Sequence, residues 1–157
     1  MSKQSPRLGL LLLALLACSR SSNVPASADG PPADLEVSAQ QLFAQYEAAI
    51  KSGQRDAIAR FYHVDGAVRV INGTTSRMSR AQLDSVYRTA WTPPAFFAWD
   101  SLAYDALDPR SVLITGGFRW ASPGARDTAN YLYAAVLQAI DSGLAIRFEH
   151  ETLRPRQ

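Results

Sequence analysis

Residues 46–70 read YEAAIKSGQRDAIARFYHVDGAVRV, and the changes of period within this stretch decide the fold. Tyr46 and Ile50 lie one helical turn apart. Gly53 stands where that helix should end, because glycine takes the left-handed C-terminal conformation without a Cβ penalty. A short second helix is predicted from Asp56 to about His63, burying Ile58, Phe61 and Tyr62. The period then changes: GAVRVING, residues 66–73, reads as a short strand with a turn at Asn72-Gly73.

Upstream, Phe43 continues the stripe of Tyr46 and Ile50, and Ser38-Ala-Gln-Gln41 is a capping box that predicts the helix start. Downstream, Ser79-Arg-Ala-Gln82 is a second capping box. Leu83, Val86, Tyr87, Ala90 and Trp91 follow it on one apolar face, ended by Thr92-Pro93-Pro94. The remainder reads as strands: FFAWDSLAYDAL closed by Asp108-Pro109, SVLITGGFRW closed by Ser122-Pro123-Gly124, ANYLYAAVLQAI closed by Asp141-Ser142-Gly143, and finally LAIRFEHETL. Each junction is short enough for a hairpin, so an antiparallel meander is expected. Gly116-Gly117 inside a strand predicts a bulge or sharp curl. The expected class is therefore α+β: three N-terminal helices packed on a strongly curved antiparallel sheet, a cone with a cavity at its mouth, built from residues 35–157. YLYAAVL, residues 131–137, is apolar on both alternating faces, whereas the helices can cover only one. The other face predicts a two-fold homodimer.

The chain opens differently. Lys3 and Arg7 precede ten uncharged residues, Leu8 to Ala17, which is the pattern of a secretory signal peptide. That run is too short to span a bilayer, which takes about 20 apolar residues. Leu15-Leu16-Ala17-Cys18 resembles the lipobox of bacterial lipoproteins, whose cysteine becomes the acylated first residue of the mature chain. Cys18 is the only cysteine, so no disulfide competes for it, and a packed apolar role suits poorly the mouth of a signal sequence. The resemblance implies a signal peptide over residues 1–17 and an acylated Cys18 that anchors the protein to the membrane. Ser19, where inner-membrane retention would favour Asp, implies the periplasmic face of the outer membrane in a bacterial cell envelope. Residues 19–33, SRSSNVPASADGPPA, are too poor in apolar groups to fold and read as a tether, so 18–34 links anchor to domain. Without Lys3 and Arg7 the mature chain carries fourteen basic and fourteen acidic side chains, and the basic ones are scattered singly. No nucleic-acid partner is expected of such a surface.

The order of elements resembles the nuclear transport factor 2-like superfamily, and within it the SnoaL-like branch, over Val37 to Leu153. The resemblance rests on YEAAIKSGQRDAIARFYHVDGAVRV, with Tyr62, Asp65 and Ala67 in the family's Y-x-x-D-A run and Gly66 inserted. It rests also on MSRAQLDSVYRTAW, and on SGLAIRFEHETL with Gly143, Ile146 and His150 retained and Leu144 in place of a tryptophan. This fold hosts enzymes, binding modules and scaffolds alike, so the site must be argued separately. The resemblance to the ketosteroid isomerase branch implies a catalytic aspartate five residues beyond Asp65; position 70 here is Val, which speaks against that activity.

Strict alternation along LAIRFEHETL puts Leu144, Ile146, Phe148 and His150 on one face and Ala145, Arg147, Glu149 and Glu151 on the other. His150 is thus the first catalytic candidate, as a general base or a ligand's hydrogen-bond partner; a structural imidazole bonded to a nearby group is the alternative. Asp65 is a second catalytic candidate near the cavity, and Asp-Gly is equally a turn pair; Asp100 is a possible helper. Tyr46, Trp91, Trp99, Tyr104 and Trp120 are candidate ligand-binding residues that could stack on a planar molecule, and each is also ordinary core. Arg69 and Arg119, each within a strand, could pair with a carboxylate. Two histidines and one cysteine do not make a metal site. There is neither a Gly-rich phosphate loop nor a nucleophile elbow, so no cofactor is expected. These observations imply a lipid-anchored envelope domain that binds a small molecule or a partner protein, with a SnoaL-like cyclase, isomerase or dehydratase using His150, or a scaffold, as alternatives.

Overall fold

The computed structural model describes residues 33–155; the signal peptide, Cys18 and most of the tether lie outside the described residues. Helix α1 runs from Ala33 to Lys51 and begins before the expected capping box. Ser38 lies inside it, its hydroxyl donating to the Asp34 carbonyl at 2.7 Å rather than accepting from an N-terminal amide. Asp34 and Glu36 in the first turn favour the earlier start through the helix dipole. Gly53, at φ +65°, ends the helix as expected.

α2 is a single turn, Arg55–Ile58, continued by a 3-10 turn over Ala59–Phe61. It stops short of His63 because Tyr62 is already extended, and the His63 amide donates to the Ile146 carbonyl at 2.9 Å. β1 (Ala67–Ile71) and β2 (Thr74–Met78) form a hairpin through Asn72 and Gly73, at φ +48° and +82°. Both central residues are left-handed, the requirement of the expected Asn-Gly turn. α3 covers Arg80–Thr89 behind the predicted Ser79 cap, and both hydrogen bonds of the box form: Gln82 N–H to Ser79 Oγ at 3.2 Å and Ser79 N–H to Gln82 Oε1 at 2.8 Å.

β3 (Phe96–Asp108), β4 (Ser111–Ala121), β5 (Ala129–Ile140) and β6 (Gly143–Leu153) form the expected antiparallel meander. The sheet as a whole is a correction to the expectation. It has six strands in the order β2-β1-β6-β5-β4-β3, and it is mixed, because β1 pairs parallel with β6. The chain leaves β1 by a tight hairpin and returns only with its last strand, so the two meet running the same way. That geometry is set by chain path and leaves no trace in local periodicity.

Gly116-Gly117 accompanies a bulge carried by the neighbouring strand. The β3–β4 register slips between Asp100 and Ala103, with Ser101 at φ +51°. A Cβ on Gly116 would lie 2.9 Å from the Ser101 carbonyl oxygen, so only glycine fits opposite the extra residue. The core lies on the helix side, with Phe43, Tyr62, Ile114, Leu137 and Ile146 buried. On β5 it is Tyr133, Ala135 and Leu137 that point inward, while Leu132 on the opposite face is 44% exposed and Val136 half-buried.

Candidate functional site

One extra residue in β6 determines which side chains enter the interior. Leu137 of β5 pairs with Ile146 but Val136 pairs with Phe148, so Arg147 is bulged out of register. A one-residue slip reverses every later side chain. Beyond the bulge Glu149 and Glu151 therefore turn inward, beside the inward Arg69 and Ile71 of β1, while Phe148 and His150 turn to the outer face.

Glu149 lies at the centre of what results, and its side chain is only 1% exposed. It accepts from Arg69 Nε at 2.9 Å, from the Tyr62 hydroxyl at 2.8 Å and from the Tyr133 hydroxyl at 3.1 Å. Tyr46 lies 3.4 Å from Glu149 Oε1 and 3.1 Å from the Tyr62 oxygen, with one proton for the two. Tyr87 meets Tyr62 at 2.7 Å. The guanidinium of Arg69 also sits 5.9 Å from the Tyr62 ring centroid and 5.8 Å from that of Tyr87, within cation–π range. A carboxylate buried with three tyrosine hydroxyls and a guanidinium is a satisfied anchor, not a free base. Burial, and then the negative charge of Glu149, holds the Tyr46, Tyr62 and Tyr133 hydroxyls well above the ordinary phenol value, which keeps them donors. Burial pushes Tyr87 up to about 12 against the pull of Arg69. Burial disfavours charge on Arg69, but the surrounding tyrosines and Glu149 outweigh it and hold the guanidinium protonated.

This cluster floors a cavity of about 330 Å³, at the small end for ligand sites. All three tryptophans of the chain, Trp91, Trp99 and Trp120, line it. The tryptophans meet their neighbours at steep angles, 63° between Trp91 and Trp120 and 83° between Phe97 and Trp99, so they form corners of a box, while Phe118 and Tyr131 of the same lining stack at 4°. Among the described residues the Trp99 indole N–H is the buried side-chain donor left without an acceptor. The rings of Phe97 and Tyr133 lie 4.9 Å from the Trp99 ring, centroid to centroid.

Glu151 faces the same cavity with weaker pairing: its charged contact is Arg69 Nη2 at 3.8 Å, and its side chain is 20% exposed. Desolvation, and then the charge of Glu149, push its carboxyl up to about 8, with Arg69 pulling it back. An acid whose pKa rises on folding binds its proton more tightly in the native state. Its stabilisation is complete below the unfolded value of 4.5 and is lost as pH rises to about 8. At about 1.4 kcal/mol per pKa unit, discounted for partial exposure, the loss across this window should be on the order of 2–3 kcal/mol. Urea unfolding of the wild type and Glu151→Gln at several pH values isolates it: the difference between the two curves should slope through this window, and parallel curves would contradict the assignment.

Of the expected ligand-binding residues, Tyr46, Trp91, Trp99 and Trp120 line this cavity and Tyr104 does not; Tyr104 packs edge-on against Phe43 at 6.0 Å. His150 is half-buried on the outer face, its Nε2 3.1 Å from Thr152 Oγ1, away from the cavity it was expected to face. The bulge at Arg147 is the reason. Asp65 is a turn residue with its side chain 74% exposed; its carboxylate lies 3.6 Å from His63 Nδ1, and its amide donates to that nitrogen at 3.1 Å. Asp100 pairs with Arg119 at 3.4 Å on the surface. Sequence reasoning assigned Glu149 and Glu151 to the wrong face. The available signal was indirect: several tyrosines on apolar stripes, and an inward Arg69, all needing one acceptor.

No protein-family model and no curated protein matches the chain in sequence. Solved structures do resemble it. An NTF-2-like protein of unknown function from Shewanella oneidensis shares 16% identity over 74% of this chain and 97% of that one, with a TM-score of 0.63. A domain of unknown function with a cystatin-like fold from Nostoc punctiforme shares 17% identity over 80% of each chain, at 0.64. A ketosteroid isomerase-like protein from Erwinia carotovora atroseptica shares 13% over 80% of this chain and all of that one (100%), at 0.66. At these identities the likeness is one of fold. The class it defines is the α+β, nuclear transport factor 2-like or cystatin-like architecture.

Proposed function

We propose that this is a ligand-binding domain of the bacterial cell envelope, held to the membrane by a lipid on Cys18, that takes up a small, largely apolar molecule in its aromatic cavity. The observation that carries the reading is the convergence of Trp91, Trp99 and Trp120 on one cavity whose polar floor, Arg69 and Glu149, is already internally satisfied. Such a floor orients a ligand and needs none to complete it. The bulges at Asp100–Ala103 and Ile146–Phe148 are the places where a sheet bends. On this reading they curl it into a cone whose mouth is the cavity. The outer face, with Leu132, Val136 and Phe148 exposed or half-buried around His150, is the surface of a two-fold homodimer.

Native mass spectrometry of residues 19–157, purified without detergent, tests this. The expected species is a dimer carrying added small-molecule mass. A bare dimer would favour a scaffold, and a bare monomer would overturn the dimer. In cells, Cys18→Ser should move the protein from the membrane to the soluble fraction; unchanged partitioning would remove the anchor.

An acid–base enzyme of the SnoaL-like kind is the second reading. What favours it is Glu151, a carboxyl held protonated to about pH 8 in the cavity beside the buried Glu149. A carboxyl that keeps its proton near neutral pH is suited to act as a general acid. On this reading Glu151 takes the role that the sequence pattern attached to His150.

A further inference from the structure

The cavity holds three ionisable groups, Arg69, Glu149 and Glu151, and their pairing is unequal. Arg69 and Glu149 satisfy each other at 2.9 Å, inside a ring of tyrosine donors. Glu151 is left over. Its carboxyl accepts no hydrogen bond among the described residues, and its contact with Arg69 is a long 3.8 Å. An anionic ligand would have to compete with Glu149 for the guanidinium and, above about pH 8, would also lie beside an ionised Glu151. A neutral ligand would leave Glu151 as it is. A cation would give Glu151 a counterion, and the indole walls add to that attraction, since tryptophan is the best aromatic partner for a positive charge. A hard metal ion is a poorer fit, because it needs several oxygen ligands and the walls supply carbon.

We propose that the cavity is selective for a small organic cation, a quaternary ammonium or protonated amine on an apolar body, boxed by Trp91, Trp99 and Trp120 and paired with Glu151. The proposal rests on the reading of the cavity as a small-molecule site and names the chemical class of its occupant. Binding is linked to protons. Glu151 faces Arg69 from β1, Glu149 on its own strand, Tyr133 from β5 and Tyr87 from α3. Glu151, its carboxyl raised to about 8, changes charge in this range. Its ionisation accompanies cation binding, so one proton leaves as the ligand enters, and affinity falls as pH drops below about 8.

Benzyltrimethylammonium, its neutral isostere neopentylbenzene and the anion phenylacetate, titrated against the full mature domain by calorimetry, separate the possibilities. At about pH 9 the cation should bind at least about tenfold more tightly than the neutral isostere, and should weaken by about tenfold or more at pH 6.5. Glu151→Gln should erase both the preference and the pH dependence. Trp120→Leu, a second variant independent of charge at position 151, should weaken the cation and spare the neutral probe. Equal binding of cation and neutral isostere, tighter binding of phenylacetate, or an undiminished preference in Glu151→Gln would overturn the cation proposal and leave the cavity a small-molecule site. Failure of all three probes to bind would overturn both.

Discussion

Arg69→Met is expected to lower the unfolding free energy by about 3–5 kcal/mol, the usual cost of leaving one member of a buried ion pair behind. Glu149 would keep its tyrosine donors but lose the one full positive charge that contacts it, at 2.9 Å, while remaining almost wholly out of water. The double variant Arg69→Met/Glu149→Gln should recover most of the loss. It buries no charge; Tyr62 and Tyr133 bond different oxygens of Glu149, so the amide oxygen accepts from one hydroxyl and the amide NH2 donates to the other. Urea unfolding of the wild type, both single variants and the double variant closes the cycle. If the double variant is no more stable than Arg69→Met alone, the pair does not have the energetic role assigned to it.

Gly66→Ala should cost more than any other single methyl group added to the chain, about 4 kcal/mol or more, or prevent folding outright. The residue sits at φ +86°, and a Cβ there would lie 2.0 Å from the Met78 carbonyl oxygen and 2.7 Å from Ser79 Cα. Neither neighbour is a flexible side chain that can swing away. The Gly66 carbonyl also accepts from Arg147, the bulged residue of β6. Gly73 is the control: it is equally left-handed at φ +82° but has nothing within 4 Å, so Gly73→Ala should cost only the strain of the turn, about 1–2 kcal/mol. Thermal melts of the two variants read the difference. Similar losses would mean that the Gly66 contact is not as tight as described.

Much of the architecture was legible because it is written in local signals. The Ser79–Gln82 box, the Asn72-Gly73 turn and the Pro and Gly breaks between long strands each specify geometry within a few residues, and the elements formed there. Ser38 misled because a serine followed by glutamine can equally lie inside a helix and bond backward to Asp34. β2 was missed because its first four residues, TTSR, are polar and exposed on both faces and so show no alternation. The parallel β1–β6 pairing is a consequence of chain path. The site suffered most, since a face assignment by alternation holds only while the register does. Phe148 and His150 look inward by pattern, and one extra residue at Arg147 hands the interior to Glu149 and Glu151. No residue in RFEHE announces the slip. The demand of buried tyrosine hydroxyls and Arg69 for an acceptor was the clue, and it is distributed along the chain from Tyr46 to Tyr133.

The parallel seam between the first and last strands has a consequence for how the molecule is made. Arg69 and Glu149 are 80 positions apart, and β6 is the last element of the sheet to be synthesised. At about 5–20 residues per second the three helices, the first hairpin and most of the meander emerge seconds before the carboxylate that Arg69 requires. Until then the guanidinium cannot enter the tyrosine shell, and β1 has no inner neighbour to pair with. Any chain ending before Gly143 therefore leaves β1 without its parallel neighbour however well its helices form. The eleven residues of β6 thus set the moment at which the sheet can close, through a single buried charge.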